Sequence, residues 1–505
     1  MPESTLKLIL NARVYDVARE TPLDPAPRLS RRLGNRVWMK REDLQPVFSF
    51  KLRGAYNRIA HLDDEACAKG VIAASAGNPA QGVALGAQHR GIKALIVMPR
   101  TTPQIKVDAV RSYGAKIVLH GDSYDEAYTH AMQLVDKQGL TFIHPFDDPL
   151  VIAGQGTVGM EILRQFSGDP DVVFVPVGGG GLIAGIAAYI KTLRPGIRII
   201  GVEPEEAPSL HAAMQRQRRV TLKQVGIFAD GAAVRTVGKA PFRIARKLVD
   251  EVILVSTDEI CAAIKDIYDD TRSIVEPAGA LSVAGMKRYV ETHGVTDQDL
   301  VTISSGANIN FDRLRHVAER AELGERREAL LAVTIPERPG SFRAFCRAIG
   351  PRSITEFNYR YSDARDAHVF AGVEMAGGEE ERRELIERLH NDGYPVLDMT
   401  DNEMAKLHIR HLVGGHAGGG LQDEILYRFE FPERPGALLK FLTAIGQHWN
   451  ISLFHYRNHG AAYGRVLVGI QVPAKDRKRF REYLDKVGYP CWEEDGNPAY
   501  ELFLG

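Results

Sequence analysis

One lysine is enclosed by aromatic and aliphatic residues in the stretch Ser49-Phe50-Lys51-Leu52-Arg53-Gly54-Ala55. Burial beside Phe48, Phe50 and Leu52 would strip water from the amine, lower its pKa and make it a better nucleophile. Such an amine can condense with an aldehyde cofactor. A lone lysine in this setting is more often a side chain that extends from a helix start into solvent. Lys51 is therefore a candidate catalytic residue only in combination with the motifs around it.

Outward from this stretch, short apolar runs alternate with helical patterns. This alternation predicts an α/β architecture with mostly parallel sheets, whose Gly- or Ser-rich loops after the strands are the usual place for ligands. We read Gly154-Gln155-Gly156-Thr157 as one more loop before a helix. The predicted strands are Val71–Ala74, Ala94–Met98, Lys116–Leu119, Thr141–Ile143, Val172–Val177, Ile199–Val202, Val252–Val255 and Leu300–Ile303.

Four consecutive glycines, Gly178 to Gly181, follow a predicted buried strand and precede a helix that begins at Leu182. Glycines at this junction let backbone N–H groups surround a phosphate at the positive end of the helix. The same residues also fit a dinucleotide fingerprint, Gly179-x-Gly181-x-x-Ala184, with Glu203 as the acid that ends the next strand. A nicotinamide-dependent oxidoreductase is therefore an alternative prediction.

Two further loops carry polar groups. Ser75-Ala76-Gly77-Asn78 ends a strand and begins a helix, so its N–H groups can hold an anion such as a substrate carboxylate, although an ordinary helix cap is the simpler interpretation. Ser305 follows the last predicted strand and offers a neutral hydroxyl, although alone it is more typical of a turn.

The pattern changes after Asn310. A charged stretch that ends near Arg327 has four apolar residues at helical spacing, Phe311, Leu314, Val317 and Ala321. We interpret it as a connecting helix rather than part of a core.

Beyond this helix the chain contains an internal repeat. Residues 336–342, Pro-Glu-Arg-Pro-Gly-Ser-Phe, return 96 residues later as Pro-Glu-Arg-Pro-Gly-Ala-Leu, and Glu356–Arg360 corresponds to Leu453–Arg457, 97 residues on. Offsets that agree this closely indicate a duplicated unit. Each copy reads strand, turn, helix, strand, strand, helix, which predicts a small α+β module. Gly414–Gly420 is interpreted as the linker between the copies.

Composition limits the classes of function. The 505 residues contain 64 Lys+Arg and 64 Asp+Glu, so the neutral net charge indicates neither nucleic acid nor an anionic membrane as a partner. The four cysteines are far apart and form no CxxC pair, which disfavours a zinc site and fits the reducing cytoplasm. The acidic N-terminus does not resemble a signal peptide. We predict a soluble cytoplasmic protein without a metal site.

Taken in order, these motifs match one family. Residues 49–55, SAGNPAQG from Ser75, HPFDD from His144, GGGGL from Gly178 and SGANINFDRLR from Ser305 resemble the fold-type II pyridoxal-phosphate enzymes, and among these the threonine dehydratases. The resemblance covers nearly the whole chain. It implies a tryptophan synthase β-like catalytic domain over 1–320, with a small subdomain inserted at about 45–150. Two ACT-like regulatory domains, at 329–401 and 424–495, would follow.

The resemblance also implies roles for individual residues. Lys51 would hold pyridoxal 5'-phosphate covalently and then act as the base at the substrate's Cα, and Ser305 would face the pyridine nitrogen without keeping it protonated. Asn78 would contact the cofactor's ring oxygen, and Ser75–Asn78 would bind the substrate carboxylate. The cofactor's phosphate would be bound by Gly178, Gly179, Gly180, Gly181 and Leu182. Effector sites would include Gly340, Phe342, Phe357, Tyr359, Gly436, Leu438, Phe454 and Tyr456.

One position departs from the family pattern. Where the family usually has histidine in SAGNHAQG, this chain has Pro79, which lacks an N–H group. If that N–H normally helps to grip the substrate carboxylate, affinity or selectivity changes here.

The expected activity is the dehydration of L-threonine at the start of isoleucine synthesis, with L-serine as a second substrate. Isoleucine or valine would act as effectors on the repeated modules, and the resemblance suggests a homotetramer. Two further alternatives are another fold-type II enzyme, a serine dehydratase or racemase, and an amino-acid sensor with a decayed catalytic domain. The double module disfavours the former, and retention of Lys51, Asn78, the glycine loop and Ser305 disfavours the latter.

Overall fold

A computed structural model describes residues 2–226, 228–311, 313–360, 365–407, 409–411, 421–432, 437–445, 448–457, 463–487 and 489–494. The chain divides into two compact units, Met1–Ala321 and Glu322–Gly505. Among the described helices, none is both long enough and apolar enough to cross a membrane. The predicted linker Gly414–Gly420 and the predicted effector residue Gly436 lie outside the described residues.

The first unit alternates strands and helices, as predicted. Its strands are β1 (Leu23–Pro25), β2 (Arg36–Lys40), β3 (Val71–Ala74), β4 (Ala94–Met98), β5 (Lys116–Leu119), β6 (Thr141–Phe142), β7 (Val172–Pro176), β8 (Arg198–Pro204), β9 (Glu251–Val255) and β10 (Asp299–Ile303). Its helices are α1 (Pro2–Leu10), α2 (Pro27–Leu33), α3 (Lys51–Ala60), α4 (Asp64–Lys69), α5 (Asn78–Arg90), α6 (Gln104–Ser112), α7 (Tyr124–Gln138), α8 (Pro149–Gln165), α9 (Gly181–Leu193), α10 (Ser209–Gln215), α11 (Lys239–Leu248), α12 (Thr257–Thr271), α13 (Pro277–His293) and α14 (Arg313–Gly324), which reaches past the boundary between the units.

These strands form two sheets. The larger has the order β1-β2-β10-β7-β8-β9 and is parallel except for β1, and the smaller has the order β5-β4-β3-β6 and is entirely parallel. All eight strands predicted in this region are present. The prediction missed β1 and β2, because β2 carries charged residues at both ends and has no long apolar run.

Two local predictions are wrong. Gly154-Gln155-Gly156-Thr157 lies inside helix α8, which begins earlier, where Asp148 caps the helix and Pro149 occupies its first turn. The glycines serve close helix packing rather than a loop, because a Cβ at Gly154 would overlap the backbone of Arg53. Helix α14 is more than a connection, since Val317 and Ala321 are buried in a hydrophobic cluster of the first unit.

The second unit contains the duplicated module. Both copies contain the predicted strand, helix, strand, strand, helix, and each ends in a short extra strand. The elements are β11 (Glu328–Pro336), α15 (Ser341–Ile349), β12 (Ile354–Arg360), β13 (Asp366–Glu374), α16 (Gly378–Asn391), β14 (Val396–Asp398), α17 (Glu403–Leu407), β15 (Glu424–Pro432), α18 (Ala437–Ile445), β16 (Asn450–Arg457), β17 (Tyr463–Gln471), α19 (Arg477–Val487) and β18 (Cys491–Glu493).

The two copies share one eight-stranded sheet, of order β14-β11-β13-β12-β16-β17-β15-β18. The corresponding central strands β12 and β16 pair antiparallel, so that Phe357 faces Tyr456 and Tyr359 faces Phe454. One hydrophobic cluster runs through both copies. The duplicated sequence therefore folds as a pseudo-symmetric pair within this unit.

Candidate active site

Lys51 is the first residue of helix α3 and lines a pocket with the glycine loop and Ser305. Its amine lies 5.0 Å from the centroid of the Phe50 ring. Burial lowers the pKa of this amine to about 8, while the charge of Glu276 acts in the opposite direction. More of the amine is neutral near pH 7 than in an exposed lysine, as the sequence predicted, and the neutral form is the nucleophile.

A buried ionic network holds the start of helix α3. Arg53, two residues after Lys51, binds Glu42 on one side and Glu161 of α8 on the other, and Lys40 of β2 also contacts Glu161 at 2.6 Å. All four charged side chains have no exposed surface, and the two positive and two negative charges balance. Lys51 thus lies on a helix whose movement would expose buried charges or separate them from their partners.

The glycine loop follows β7, and helix α9 begins at Gly181. Gly180 has φ of +87°, a conformation that side chains rarely adopt, and a Cβ at Gly179 would overlap the ring of Phe146. A Cβ at Gly178 would lie 3.0 Å from the Cα of Ala232. Close approach on every side, at the N-terminus of a 13-residue helix, fits a phosphate held by backbone N–H groups.

These residues fit pyridoxal phosphate. The pocket combines a buried amine of lowered pKa, a glycine cradle at a helix N-terminus and an aromatic ring from Phe50 and from Phe146. Among the described residues, no group of three or more His, Cys, Asp or Glu side chains is arranged to hold a metal ion.

Glu203, the acid required by the alternative dinucleotide prediction, is used elsewhere. Its two carboxylate oxygens accept hydrogen bonds at 2.8 Å from the backbone N–H groups of Leu210 and His211, at the start of helix α10. Burial raises its pKa to about 7. A carboxylate committed to a helix N-terminus inside the protein is not available to a ribose, so the feature that supported a nicotinamide cofactor has a structural role.

The loop Ser75–Asn78 leads from β3 into helix α5, as predicted, but no side chain caps the helix. The Ser75 hydroxyl instead accepts a hydrogen bond from the N–H of Gly77 at 3.2 Å. Pro79 occupies the first turn of the helix, and the N–H of Ala80 already pairs with the carbonyl of Gly77. Position 79 is thus the place in this turn where a further N–H group is missing.

Asn78 is held at both ends of its side-chain amide. Its nitrogen donates to Oε1 of Glu276 at 2.6 Å, and its oxygen accepts from Nδ2 of Asn308 at 2.7 Å. It lies near the end of β10, because a Cβ at Gly306 would be 3.2 Å from the Asn78 nitrogen. Ser305, the preceding residue, is buried and donates its hydroxyl hydrogen to the carbonyl of Ala278 at 3.2 Å.

Sequence reasoning missed Glu276, Asn308 and Phe146 as parts of the site. Phe146 and Asn308 lie within the motifs that carry the family resemblance. Nothing in the sequence indicated that Phe146 packs on the glycine loop or that Asn308 binds Asn78. Glu276 stands directly before the helix start Pro277, where an acidic residue is commonplace. Its burial against Asn78 and Gly306 has no sequence signal.

The structure buries the predicted effector side chains. Phe342 packs on the rings of Phe357, Tyr359 and Phe454, at centroid distances of 5.6, 4.9 and 6.1 Å. The main cluster of this unit includes Phe342, Phe357, Tyr359, Leu438, Phe454 and Tyr456. Gly340 precedes helix α15 with φ of +89°. Their role in effector binding stays a prediction, and direct contact with these side chains would require the core to open.

Family profiles match nearly the whole chain. A profile described as pyridoxal-phosphate dependent enzyme matches residues 14–306, and one described as the C-terminal regulatory domain of threonine dehydratase matches residues 319–409 and 415–504. The chain is 56% identical over 502 residues to L-threonine dehydratase biosynthetic IlvA of Burkholderia multivorans, covering 99% of both chains. The Escherichia coli protein of the same name is 52% identical over 499 residues, covering 99% of this chain and 96% of that one.

Solved structures agree with these matches. Threonine deaminase isoform 2 from Solanum lycopersicum, in its processed form, superposes with a TM-score of 0.63 at 52% identity, over 64% of this chain and 88% of that one. Maize serine racemase superposes with a TM-score of 0.58 at 34% identity, over 62% of this chain and 96% of that one.

Proposed function

Because this chain belongs to the biosynthetic threonine dehydratases, a family of pyridoxal-phosphate-dependent lyases, we propose that Lys51, Asn78, the glycine loop and Ser305 form its active site. The family reaction converts L-threonine to 2-oxobutanoate and ammonia at the start of isoleucine synthesis. The alternative predictions of a nicotinamide oxidoreductase, and of a serine dehydratase or racemase, are wrong. Full-length identity is with threonine dehydratases, whereas the racemase likeness is weaker and covers about two thirds of the chain.

Each residue of the site has a distinct task. Pyridoxal phosphate, when bound, supplies the electron withdrawal that makes the substrate's Cα proton acidic. Gly178–Gly181 and Leu182 would bind its phosphate through backbone N–H groups at the start of α9. Asn78 would donate an amide N–H to its ring oxygen, and the neutral hydroxyl of Ser305 would face its ring nitrogen.

Lys51 Nζ would hold the cofactor and would serve as the base for the Cα proton, because it is the one amine that lines this pocket among the described residues. The loop Ser75–Asn78 would receive the substrate carboxylate through its N–H groups at the N-terminus of α5. The observation that carries the proposal is the common pocket of Lys51, the glycine loop and Ser305.

The test compares Lys51→Ala with Lys69→Ala, an exposed lysine on α4 whose partner is Glu65. The purified wild-type protein is expected to be yellow, and borohydride should fix the cofactor on the peptide that contains Lys51, as read by mass spectrometry. Lys51→Ala should lose the fixed cofactor and threonine deamination while melting like the wild type, and Lys69→Ala should retain both. Comparable deamination by Lys51→Ala would overturn the assignment.

The duplicated module matches a regulatory domain, which implies effector binding in the second unit. We assign isoleucine and valine as its effectors, the domains to residues 329–401 and 424–495, and a homotetrameric, cytoplasmic state to the protein. The expected second substrate is L-serine. We place the effector site at the seam between the copies, where Glu337 after β11 binds both the Tyr359 hydroxyl and, at 2.8 Å, Asn450 of the other copy.

Tyr359→Phe tests the effector assignment without removing the buried ring. It deletes the hydroxyl that bonds to Glu337, so isoleucine should bind more weakly in calorimetry and inhibit less, with threonine kinetics unchanged in its absence. Tyr427→Phe, which removes a hydroxyl bonded to Glu493 away from this seam, is the matched control. Equal isoleucine affinity in all three proteins would contradict an effector site at the seam, and sedimentation measures the tetramer separately.

A further inference from the structure

Glu276 is a buried acid that the assigned roles leave unused. It precedes helix α13, and its own N–H donates to the carbonyl of Gly306 at 3.1 Å. Gly306 follows Ser305 and leaves room for the carboxylate, since a Cβ at that position would overlap Oε1 of Glu276. The absence of a side chain at Gly306 therefore allows the carboxylate of Glu276 to lie next to the site.

Hydrogen bonding determines which way the Asn78 amide faces. The Val47 carbonyl can only accept, so the group of Asn308 that contacts it, at 2.8 Å, is the amide nitrogen. The same nitrogen donates its second hydrogen to the Asn78 oxygen at 2.7 Å. The Asn78 nitrogen must then face Glu276, which accepts one of its two hydrogens at 2.6 Å. With the described residues taken into account, one amide hydrogen of Asn78 remains for the ligand of the site.

We propose that Glu276 is a positioning residue for the reaction, whose carboxylate holds the amide of Asn78 so that its remaining N–H is presented to the cofactor's ring oxygen. This inference rests on the proposed function, because it presupposes that Asn78 contacts the cofactor. Glu276 acts through Asn78. It is the fourth member of a chain of contacts that starts at the Val47 carbonyl and passes through Asn308.

The charge of Glu276 should govern how firmly the amide is held. Burial and the nearby Asp230 raise the pKa of Glu276, to about 7, while the N–H of Asn78 and the charges of Lys106 and Lys51 lower it. A carboxylate accepts a stronger hydrogen bond than a neutral carboxyl group. The hydrogen bond from Asn78 to Glu276 is therefore strongest above about pH 7 and weakens as the pH falls through that value.

The experiment titrates the visible absorption band of the substrate-free holoenzyme and, separately, measures the cofactor dissociation constant by dialysis. The wild type should show a step in the band near pH 7. Glu276→Gln keeps an oxygen acceptor but cannot ionise, so the step should vanish while the protein still binds the cofactor. Glu276→Ala removes the acceptor and should raise the dissociation constant by roughly ten-fold or more, the range for a hydrogen bond to a charged group.

Glu203→Gln is the matched control. Glu203 is also buried, and burial raises its pKa to about 7, but it binds the start of α10 and is not placed in the site. This variant should melt at a lower temperature and keep the spectral step. A step that persists in Glu276→Gln, a step lost equally in Glu203→Gln, or wild-type cofactor affinity in Glu276→Ala would each overturn the inference.

The outcomes separate this inference from the proposed function. If the wild-type protein acquires no visible band with pyridoxal phosphate, or if the band survives borohydride and Lys51→Ala unchanged, the proposed site is wrong. If the band depends on Lys51 but is indifferent to both Glu276 variants, only the positioning role fails.

Discussion

Arg53 and Glu161 form a bidentate ion pair in the interior of the first unit, with Nη1 2.5 Å from Oε1 and Nη2 2.9 Å from Oε2. Neither side chain has exposed surface. The same arginine binds Glu42, so it joins helix α8 to the segment before Lys51. Lys51, the proposed catalytic lysine, is therefore positioned by charge pairing as well as by packing.

Glu161→Ala should destabilise the fold strongly. The substitution leaves Arg53 and Lys40 with uncompensated positive charge in the interior, and loss of one partner from a buried pair costs about 3–5 kcal/mol. Urea unfolding followed by circular dichroism measures the loss. Glu65→Ala, which breaks an exposed pair with Lys69, is the control and should leave the midpoint nearly unchanged. Equal midpoints for the two variants would show that the network contributes little.

Gly179→Ala should weaken cofactor binding. A Cβ at this position overlaps the ring of Phe146, so either the ring or the loop must move away from the phosphate position. We expect a dissociation constant raised by about ten-fold or more, which corresponds to the loss of one charge-assisted hydrogen bond. Gly196→Ala is the control, because a Cβ there has no neighbour within 4 Å among the described residues. Retained affinity in Gly179→Ala would indicate that the phosphate lies elsewhere.

Pro79→His tests the departure from the family pattern. Histidine restores an N–H group in the first turn of α5 and, if this group contacts the substrate carboxylate, KM for threonine should fall by roughly ten-fold. We expect instead that KM is unchanged and that the melting temperature is slightly lower, because proline suits the first turn and restricts the unfolded chain. Steady-state kinetics on threonine and serine, with a melting curve for each protein, decide between the two.

The rate at which the apoprotein recombines with pyridoxal phosphate should depend on pH through Lys51. Only the neutral amine reacts, and burial lowers its pKa to about 8. The rate should therefore rise about ten-fold per pH unit below that value and level off above it. Stopped-flow measurement of the growing visible band provides the profile. A rate that keeps rising toward about pH 10, the ordinary range for lysine, would contradict the burial effect.

Much of the architecture was predictable from the chain alone because it depends on local patterns. Apolar runs of strand length alternate with helical patterns, and this periodicity correctly predicted eight strands of the first unit. The repeat after residue 336 correctly predicted two similar modules, since a duplicated pattern folds twice into the same element order. The glycine loop and Lys51 were also recognisable, because both signals come from adjacent residues. Consecutive glycines indicate an unusual backbone conformation, and apolar neighbours indicate a buried amine.

Only the tertiary structure decided which distant groups meet. Asn78 and Glu276 are 198 positions apart, and their contact depends on the loop after β3 meeting the residue before α13. Gly154 has a loop-like sequence context, yet it lies within a helix that needs it for close approach to Arg53. Glu203 has the spacing of a ribose-binding acid, but it caps α10. Periodicity reports the neighbours of a residue along the chain, whereas burial, hydrogen-bond partners and shifted pKa values arise from neighbours in space.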